Sequence, residues 1–268
     1  MNKLIQSTQI MLLLLLSYTQ QSTAQSTSWT GAVSNAWGTS ANWTNGVPDA
    51  TKDVFIGDAY YSGLNEPRLT VLGYCKSLTV GGTNPITLRI ARSLRVTGNL
   101  QIQSNGIIEQ GASVLYTSGN WMNDGTYTTT SSSAQVNFIG TLQTVGGSTI
   151  TNFRKLYVAR NATIILANDI TSIEAGSSVM VNGTINPGMS PSYMITATGR
   201  MQVYDGGTIK INKELFADNY DISGGVVFYS GGTADYSSTV VNQTISSSYA
   251  YATLKISGTG VKSLEADL

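Results

Sequence analysis

The chain has 268 residues, 15 basic and 15 acidic side chains, no histidine and one cysteine, and only 11% of it is charged. This composition excludes histidine-based catalytic and metal sites, an internal disulfide and a cysteine-rich zinc site, so we expect no cofactor. It also argues against a nucleic-acid partner, because such binding needs clustered Lys and Arg.

Residues 1–24 have the features of a secretory signal peptide. Lys3 precedes the apolar run IMLLLLL at 10–16, which is too short to span a bilayer, and small residues occupy positions 22–24. We therefore expect cleavage after Ala24 and a secreted or surface-attached protein with no transmembrane segment in its mature chain. The alternative is an uncleaved membrane anchor.

Residues 25–63 form a tryptophan-rich module that contains Trp29, Trp37 and Trp43. The sequence VFI at 54–56 then predicts the first solenoid strand. The first turn of a solenoid exposes an apolar end and an unpaired strand edge, so we predict that the three indoles cap it. The alternative is a carbohydrate platform, in which exposed indoles stack on sugar rings.

Residues 64–268 are a uniform series of short β-strand patterns. Apolar and polar residues alternate in TLRI at 87–90 and TIKI at 208–211, and Gly or Asn residues separate such runs. The nearest helical candidate, KELFADNY at 213–220, is about two turns long. An all-β fold follows, built from strands and tight turns.

We predict a right-handed parallel β-helix with an aromatic N-terminal cap, and we keep β-sandwich repeats as the alternative. Strand–turn units recur without the regular hairpin spacing that a sandwich needs, and repetition at this scale is typical of a solenoid. With about 22 residues per turn, the mature chain would form 10 or 11 turns and a rod of roughly 50 Å.

Internal similarity supports a repeat. The segment FRKLYV at 153–158 returns as YATLKI at 251–256, 98 residues later (251 − 153), and QTV at 143–145 returns as QTI at 243–245. The matched positions continue to Asp169 and Asp267. Because the second copy breaks off at Leu268, we expect the solenoid to be truncated there and the native protein to continue.

Few residues are candidates for chemistry. Some β-helices degrade polysaccharides with paired carboxylates, and the nearest such pair here is Asp218 and Asp221, close to Lys213 and Glu214. We prefer a polar loop outside the turns and assign no catalytic residue. Cys75 precedes a strand pattern, which predicts an inward-facing, poorly reactive thiol.

Several motifs resemble a known family. The opening pattern W-x-G…W…NW…G-x-P…V-x-I spans 29–56, and GNWMNDGT follows at 119–126. Together with the QTVGG and FRKLYV units, these motifs are similar to those of large repetitive surface proteins that bacteria export by the gliding-associated, type IX route. The resemblance implies a β-solenoid at the cell surface, and it implies fold and location better than activity.

We therefore expect a non-enzymatic, secreted cell-surface β-solenoid that acts as a stalk or adhesin segment. Its expected partners are surface glycans or other cell-surface proteins, which a rigid rod would hold through many weak contacts. The alternative is a carbohydrate-binding or polysaccharide-degrading β-helix. Exposed aromatic residues or a carboxylate-lined groove would favour that alternative.

Overall fold

The computed structural model describes residues 25–266, so the predicted signal peptide and the last two residues lie outside it. Two 3₁₀ turns, Ser40–Asn42 and Phe216–Asp218, are the helical elements of this part of the chain, and Phe216–Asp218 falls within the helical candidate at 213–220. All remaining regular structure is β.

In chain order the strands are β1 (Gln25–Ser28), β2 (Lys52–Ile56), β3 (Arg68–Leu69), β4 (Gly73–Cys75), β5 (Ser77–Val80), β6 (Ile86–Ile90), β7 (Leu94–Val96), β8 (Leu100–Ile102), β9 (Gly106–Gln110), β10 (Val114–Thr117), β11 (Trp121–Asn123), β12 (Thr126–Thr129), β13 (Gln135–Phe138), β14 (Gln143–Gly146), β15 (Thr151–Phe153), β16 (Lys155–Val158), β17 (Thr163–Leu166), β18 (Ile170–Ser172), β19 (Ser177–Val181), β20 (Thr184–Asn186), β21 (Ile195–Ala197), β22 (Arg200–Val203), β23 (Thr208–Ile211), β24 (Tyr220–Ile222), β25 (Val226–Phe228), β26 (Thr233–Tyr236), β27 (Gln243–Ile245), β28 (Thr253–Ile256) and β29 (Lys262–Leu264).

The strands stack into a three-sided β-solenoid, as predicted, and not into β-sandwich repeats. The first sheet has eleven parallel strands, from β1 to β28, and the second sheet has eight, from β4 to β25. The third face consists of two four-stranded sheets and the pair β27–β29. Eleven strands in one sheet give ten steps (11 − 1), so the stack is about 48 Å long at a strand spacing of about 4.8 Å.

Period-two alternation puts one set of side chains inside and the other outside. In the second sheet the inward column runs through consecutive turns as Cys75, Val96, Thr117, Phe138, Val158, Val181, Val203 and Phe228. Most of its members are fully buried. Each turn therefore buries its apolar residues only against the turns above and below it, which is why the fold needs a repeat.

The third face is interrupted between β12 and β15, where no backbone ladder joins the two four-stranded sheets. Four aromatic side chains fill the interior at this level: Trp121, Tyr127, Phe138 and Phe153, with Trp121 and Phe153 ring centroids 5.2 Å apart. The four rings thus lie in the two successive turns whose third-face strands, β12 and β15, are not paired. We call this group the aromatic cluster.

The N-terminal module joins the solenoid through the first sheet. Strand β1 pairs in parallel with β2, so the prediction that residues 54–56 form the first strand is wrong. The sequence QSTS of β1 contains no apolar residue, which is why alternation could not reveal it. Both strands lie inside the predicted 25–63 module, and cap and solenoid therefore share one sheet.

The two segments that resemble each other at an offset of 98 residues do not occupy equivalent positions around the turn. Leu156 lies in the second sheet, whereas Leu254, its sequence match, lies in the first sheet. The glutamines of the matched QTV and QTI segments do share a role. Gln143 accepts from the Gly140 N–H (2.7 Å) and donates to the carbonyls of Thr117 and Gly119 one turn away (3.1 and 2.6 Å).

Gln243 repeats this arrangement on the third face. Its Oε1 accepts from the Ser238 N–H at 3.0 Å, and its Nε2 donates to the carbonyls of Ile211 and Lys213, both at 2.8 Å. Both glutamines are 1% exposed. Each one supplies hydrogen bonds to backbone groups at a corner, where the regular strand pairing ends.

Candidate functional site

The structure places the three N-terminal tryptophans in the interior. Trp29, Trp37 and Trp43 are 0%, 1% and 5% exposed. They pack edge to face, with Trp43 4.9 Å from Trp29 and 4.8 Å from Trp37 between ring centroids. Sugar stacking needs an open ring face, and these indoles have none. The carbohydrate-platform interpretation is therefore wrong, and the aromatic cap is confirmed.

Hydrogen bonds hold this cap in place. The Trp29 indole donates to the Asn65 carbonyl and the Trp43 indole to the Trp37 carbonyl, both at 2.7 Å. Fully buried Asn42 accepts from two backbone N–H groups and donates to Ser34 Oγ and the Ala36 carbonyl. The module is thus a closed structural unit.

Asp218 and Asp221 have separate surroundings. The Asp218 carboxylate accepts from the Leu215 N–H at 3.2 Å and closes the 3₁₀ turn. Asp221 is exposed on β24. Within residues 25–266 no group of three or more Cys, Asp or Glu side chains is placed to hold a metal ion. The local role of Asp218 agrees with the polar-loop interpretation.

The outward face of the second sheet carries a continuous row of long side chains. In register over eight turns the row consists of Tyr74, Arg95, Tyr116, Asn137, Tyr157, Met180, Gln202 and Val227. Two neighbours in the row are in contact: the Arg95 guanidinium lies 4.7 Å from the centre of the Tyr116 ring. We call this set the second-sheet row.

This face is also distinct in charge. Its eight strands contain no Asp or Glu but carry three outward cations, Arg95, Lys155 and Arg200. None of the three takes part in an ion pair with another described residue, whereas Arg89, Arg154 and Arg160 elsewhere do. The second sheet therefore presents unneutralised positive charge in a chain whose net charge is zero.

At the C-terminal end of the row, two tyrosines form a stacked pair. The Tyr204 and Tyr229 rings are parallel to within 2°, with centroids 4.9 Å apart. Tyr229 is 40% exposed, because the second sheet ends at β25 and no further strand of that sheet covers its other ring face. Partial burial, and then the nearby phenols of Tyr229 and Tyr157, raise the pKa of Tyr204.

Gln202 links this pair to the sheet. Its Nε2 donates to the Tyr229 hydroxyl at 2.8 Å, and the side chain is only 8% exposed. Its Oε1, by contrast, is buried and finds no donor among the described residues. An unsatisfied buried acceptor is destabilising by about 1–3 kcal/mol, so the fold leaves a hydrogen-bonding capacity unused at this oxygen.

Arg200 completes the site two residues before Gln202. Its exposed side chain lines a shallow pocket of about 250 Å³, together with Ala175, Gly176 and Gly224. Arg200, Gln202 and Tyr204 occupy alternate positions along one strand and its exit, so all three point outward. We call Arg200, Gln202, Tyr204 and Tyr229 the tyrosine–arginine site.

Sequence reasoning missed this site, although a signal for it exists. The segment VYDGGT at 203–208 returns as FYSGGT at 228–233, 25 residues later (228 − 203), which is one turn of the solenoid. The two glycine pairs form the same corner in successive turns. Tyr204 and Tyr229, which precede these pairs, therefore stack on each other. A search for similarity at one turn would have found the pair.

One family model matches part of the chain. The model of a domain of unknown function (DUF8693) matches residues 28–155, which include the tryptophan cap and the aromatic residues Trp121, Tyr127, Phe138 and Phe153. Neither the curated proteins nor the solved structures contain a match to the chain. The tyrosine–arginine site lies outside the matched residues.

In residues 25–266 we find no helix with the length and apolar character that a membrane crossing requires.

Proposed function

We propose that the chain is a secreted, non-catalytic β-solenoid that serves as a stalk or adhesive segment at a bacterial cell surface. The observation that carries this proposal is the continuous ten-step stack, which repeats each outward side-chain position about every 4.8 Å. A surface of this kind suits many weak contacts with glycans or other cell-surface proteins.

The first sheet gives an example of such repetition. Five threonines, Thr163, Thr184, Thr208, Thr233 and Thr253, stand in register on consecutive turns. They are half-buried or exposed and point away from the core. Their hydroxyl groups form a regular line of donors and acceptors along the rod.

Export and surface location are part of the same proposal. The signal-like segment at 1–24 and the resemblance to type IX-exported surface proteins support them. Deletion of residues 2–24 should retain the protein inside the producing cell, and cell fractionation with an antibody against the solenoid measures this.

Adhesion is tested with beads coated with the purified chain and passed over immobilised glycans and bacterial surfaces. We expect retention that rises steeply with coating density, because weak contacts add through avidity. Beads coated with chain unfolded by denaturant are the matched control. Retention equal to this control contradicts the proposal, and release of new reducing ends from a polysaccharide by the chain would indicate an enzyme instead.

A further inference from the structure

We propose that the tyrosine–arginine site binds an acidic oligosaccharide, a short chain of sugars that carry carboxylate or sulfate groups. This inference rests on the proposed adhesive function and specifies its target. Three independent features of the second sheet carry it: a supported open tyrosine ring, an unsatisfied buried acceptor and an unpaired arginine.

The open ring is Tyr229. Its inner face is backed by Tyr204 at 4.9 Å, and its hydroxyl is fixed by Gln202 at 2.8 Å. The ring therefore cannot rotate freely, and little conformational entropy is lost when a ligand packs on it. Its outer face offers the flat apolar surface on which the C–H groups of a sugar ring pack.

The unsatisfied acceptor is Gln202 Oε1. Gln202 lies between Arg200 and Tyr204 along the chain, and its Oε1 has no donor among the described residues. A sugar hydroxyl is a donor of the right kind: once the Gln202 side chain turns toward the ligand, the hydroxyl can donate to Oε1 while its own oxygen stays hydrated. A purely anionic ligand without hydroxyl groups would leave this acceptor unsatisfied.

The unpaired cation is Arg200, which has no carboxylate partner in the described chain and belongs to a sheet without Asp or Glu. A guanidinium binds a carboxylate or sulfate through two parallel hydrogen bonds. Lys155, on the same face two strands away, adds positive charge. This charge is the reason to choose an acidic sugar over a neutral one.

The spacing fits a short oligosaccharide. From Arg200 to Tyr204 the chain advances four residues, about 13 Å at the rise of an extended strand. That is the length of two or three linked sugar rings. The ligand would lie across the sheet, with a sugar ring on Tyr229, a hydroxyl at Gln202 and an acidic group at Arg200.

The test uses the full chain and oligomers of galacturonate, with their methyl esters as a matched uncharged set, measured by isothermal titration calorimetry. We expect the free acids to bind at least tenfold more tightly than the esters. Tyr229→Ala and Arg200→Gln should each weaken binding at least tenfold. Tyr60→Ala and Arg92→Gln, which change an exposed tyrosine and an exposed arginine elsewhere, should leave it unchanged.

Three results would overturn the inference. One is the absence of binding to oligomers of galacturonate, mannuronate and sulfated galactose alike. Another is equal binding by the Tyr229→Ala variant, with circular dichroism showing that it is folded. The third is single-stranded DNA binding that depends on Arg200 but not on Tyr229, which would indicate a general polyanion surface. In each case the bead assay still reports on adhesion, so adhesion without acidic-sugar binding refutes only this site.

Discussion

Whether a side chain points inward or outward along a strand determines its exposure and its reactivity. Cys75 and Tyr74 are adjacent on β4, yet Cys75 is fully buried and Tyr74 is 41% exposed. Burial of the thiol, and then the negative charge of Asp53, raise its pKa. The inward position predicted for Cys75 is confirmed, and its low reactivity stays a prediction.

We expect the Cys75 thiol to react with a disulfide reagent only when the chain unfolds, since both access and the thiolate are suppressed. The measurement is the labelling rate with and without denaturant. The matched control is Tyr74→Cys in a Cys75→Ala background, which moves the thiol one residue to the outside and should label within seconds. Fast labelling of the native wild-type chain would contradict a buried thiol.

The buried glutamine that begins β14, Gln143, should contribute strongly to stability. Gln143→Ala leaves the Gly140 N–H without an acceptor and takes one of two donors from each of the Thr117 and Gly119 carbonyls one turn away. We expect the free energy of unfolding in urea to fall by about 3 kcal/mol. Gln101→Ala, at an outward position of the same sheet, should change it by less than about 0.5 kcal/mol. Equal effects would mean that the corner contacts do not matter.

Packing at the corners, as well as pairing between strands, determines how successive turns of the solenoid stack. At several corners the backbone of one turn packs directly on the backbone of the next. At Gly183, an added Cβ atom would lie 2.2 Å from the Ala162 carbonyl oxygen and 2.3 Å from that of Ala159. Both oxygens belong to the backbone and cannot move aside as a flexible side chain could. The position before β20 therefore has no room for a Cβ atom and requires glycine.

Gly183→Ala should therefore separate two turns and lower the free energy of unfolding by about 2–3 kcal/mol. Gly176→Ala is the control, because a Cβ there meets nothing within 4 Å. That variant should be neutral, and thermal unfolding by circular dichroism compares the two. A Gly183→Ala chain as stable as Gly176→Ala would show that the corner can relax.

The strands themselves could be predicted from alternation, as β23 shows: Ile209 and Ile211 are buried and Thr208 and Lys210 are not. The parallel stack followed from the turn spacing. The tyrosine–arginine site could not be predicted in this way, because it depends on which turns are neighbours and on where the second sheet stops. Likewise, three clustered tryptophans look the same in sequence whether they are buried or exposed.

At the scale of the whole molecule, the buried phenols make the fold sensitive to high pH. Tyr127 and Tyr220 are 4% and 1% exposed, and burial raises the pKa of both above the ordinary value of 10.0. The folded chain therefore holds these protons more tightly than the unfolded chain. Stability from this source is complete below about pH 10 and is lost as the pH rises beyond it.

We expect alkaline titration to show a cooperative step in which tyrosinate absorbance appears together with loss of β-sheet circular dichroism. Each buried phenol steepens the decline by about 1.4 kcal/mol per pH unit. Tyr127→Phe should remove one such contribution, whereas Tyr60→Phe, at a side chain 64% exposed, should not. Smooth ionisation of all tyrosines without unfolding would contradict this coupling.

The break in the third face has a mechanical consequence for a chain of this shape. At that level the two halves of the rod are joined by continuous backbone ladders on two sides only, while the third side is spanned by the aromatic cluster. A rod that is joined on only two of its three sides at one level is less stiff when bending opens the third side. Bent so that the third face opens, this protein would flex more easily than in other directions, and the contact between Trp121 and Phe153 would separate first.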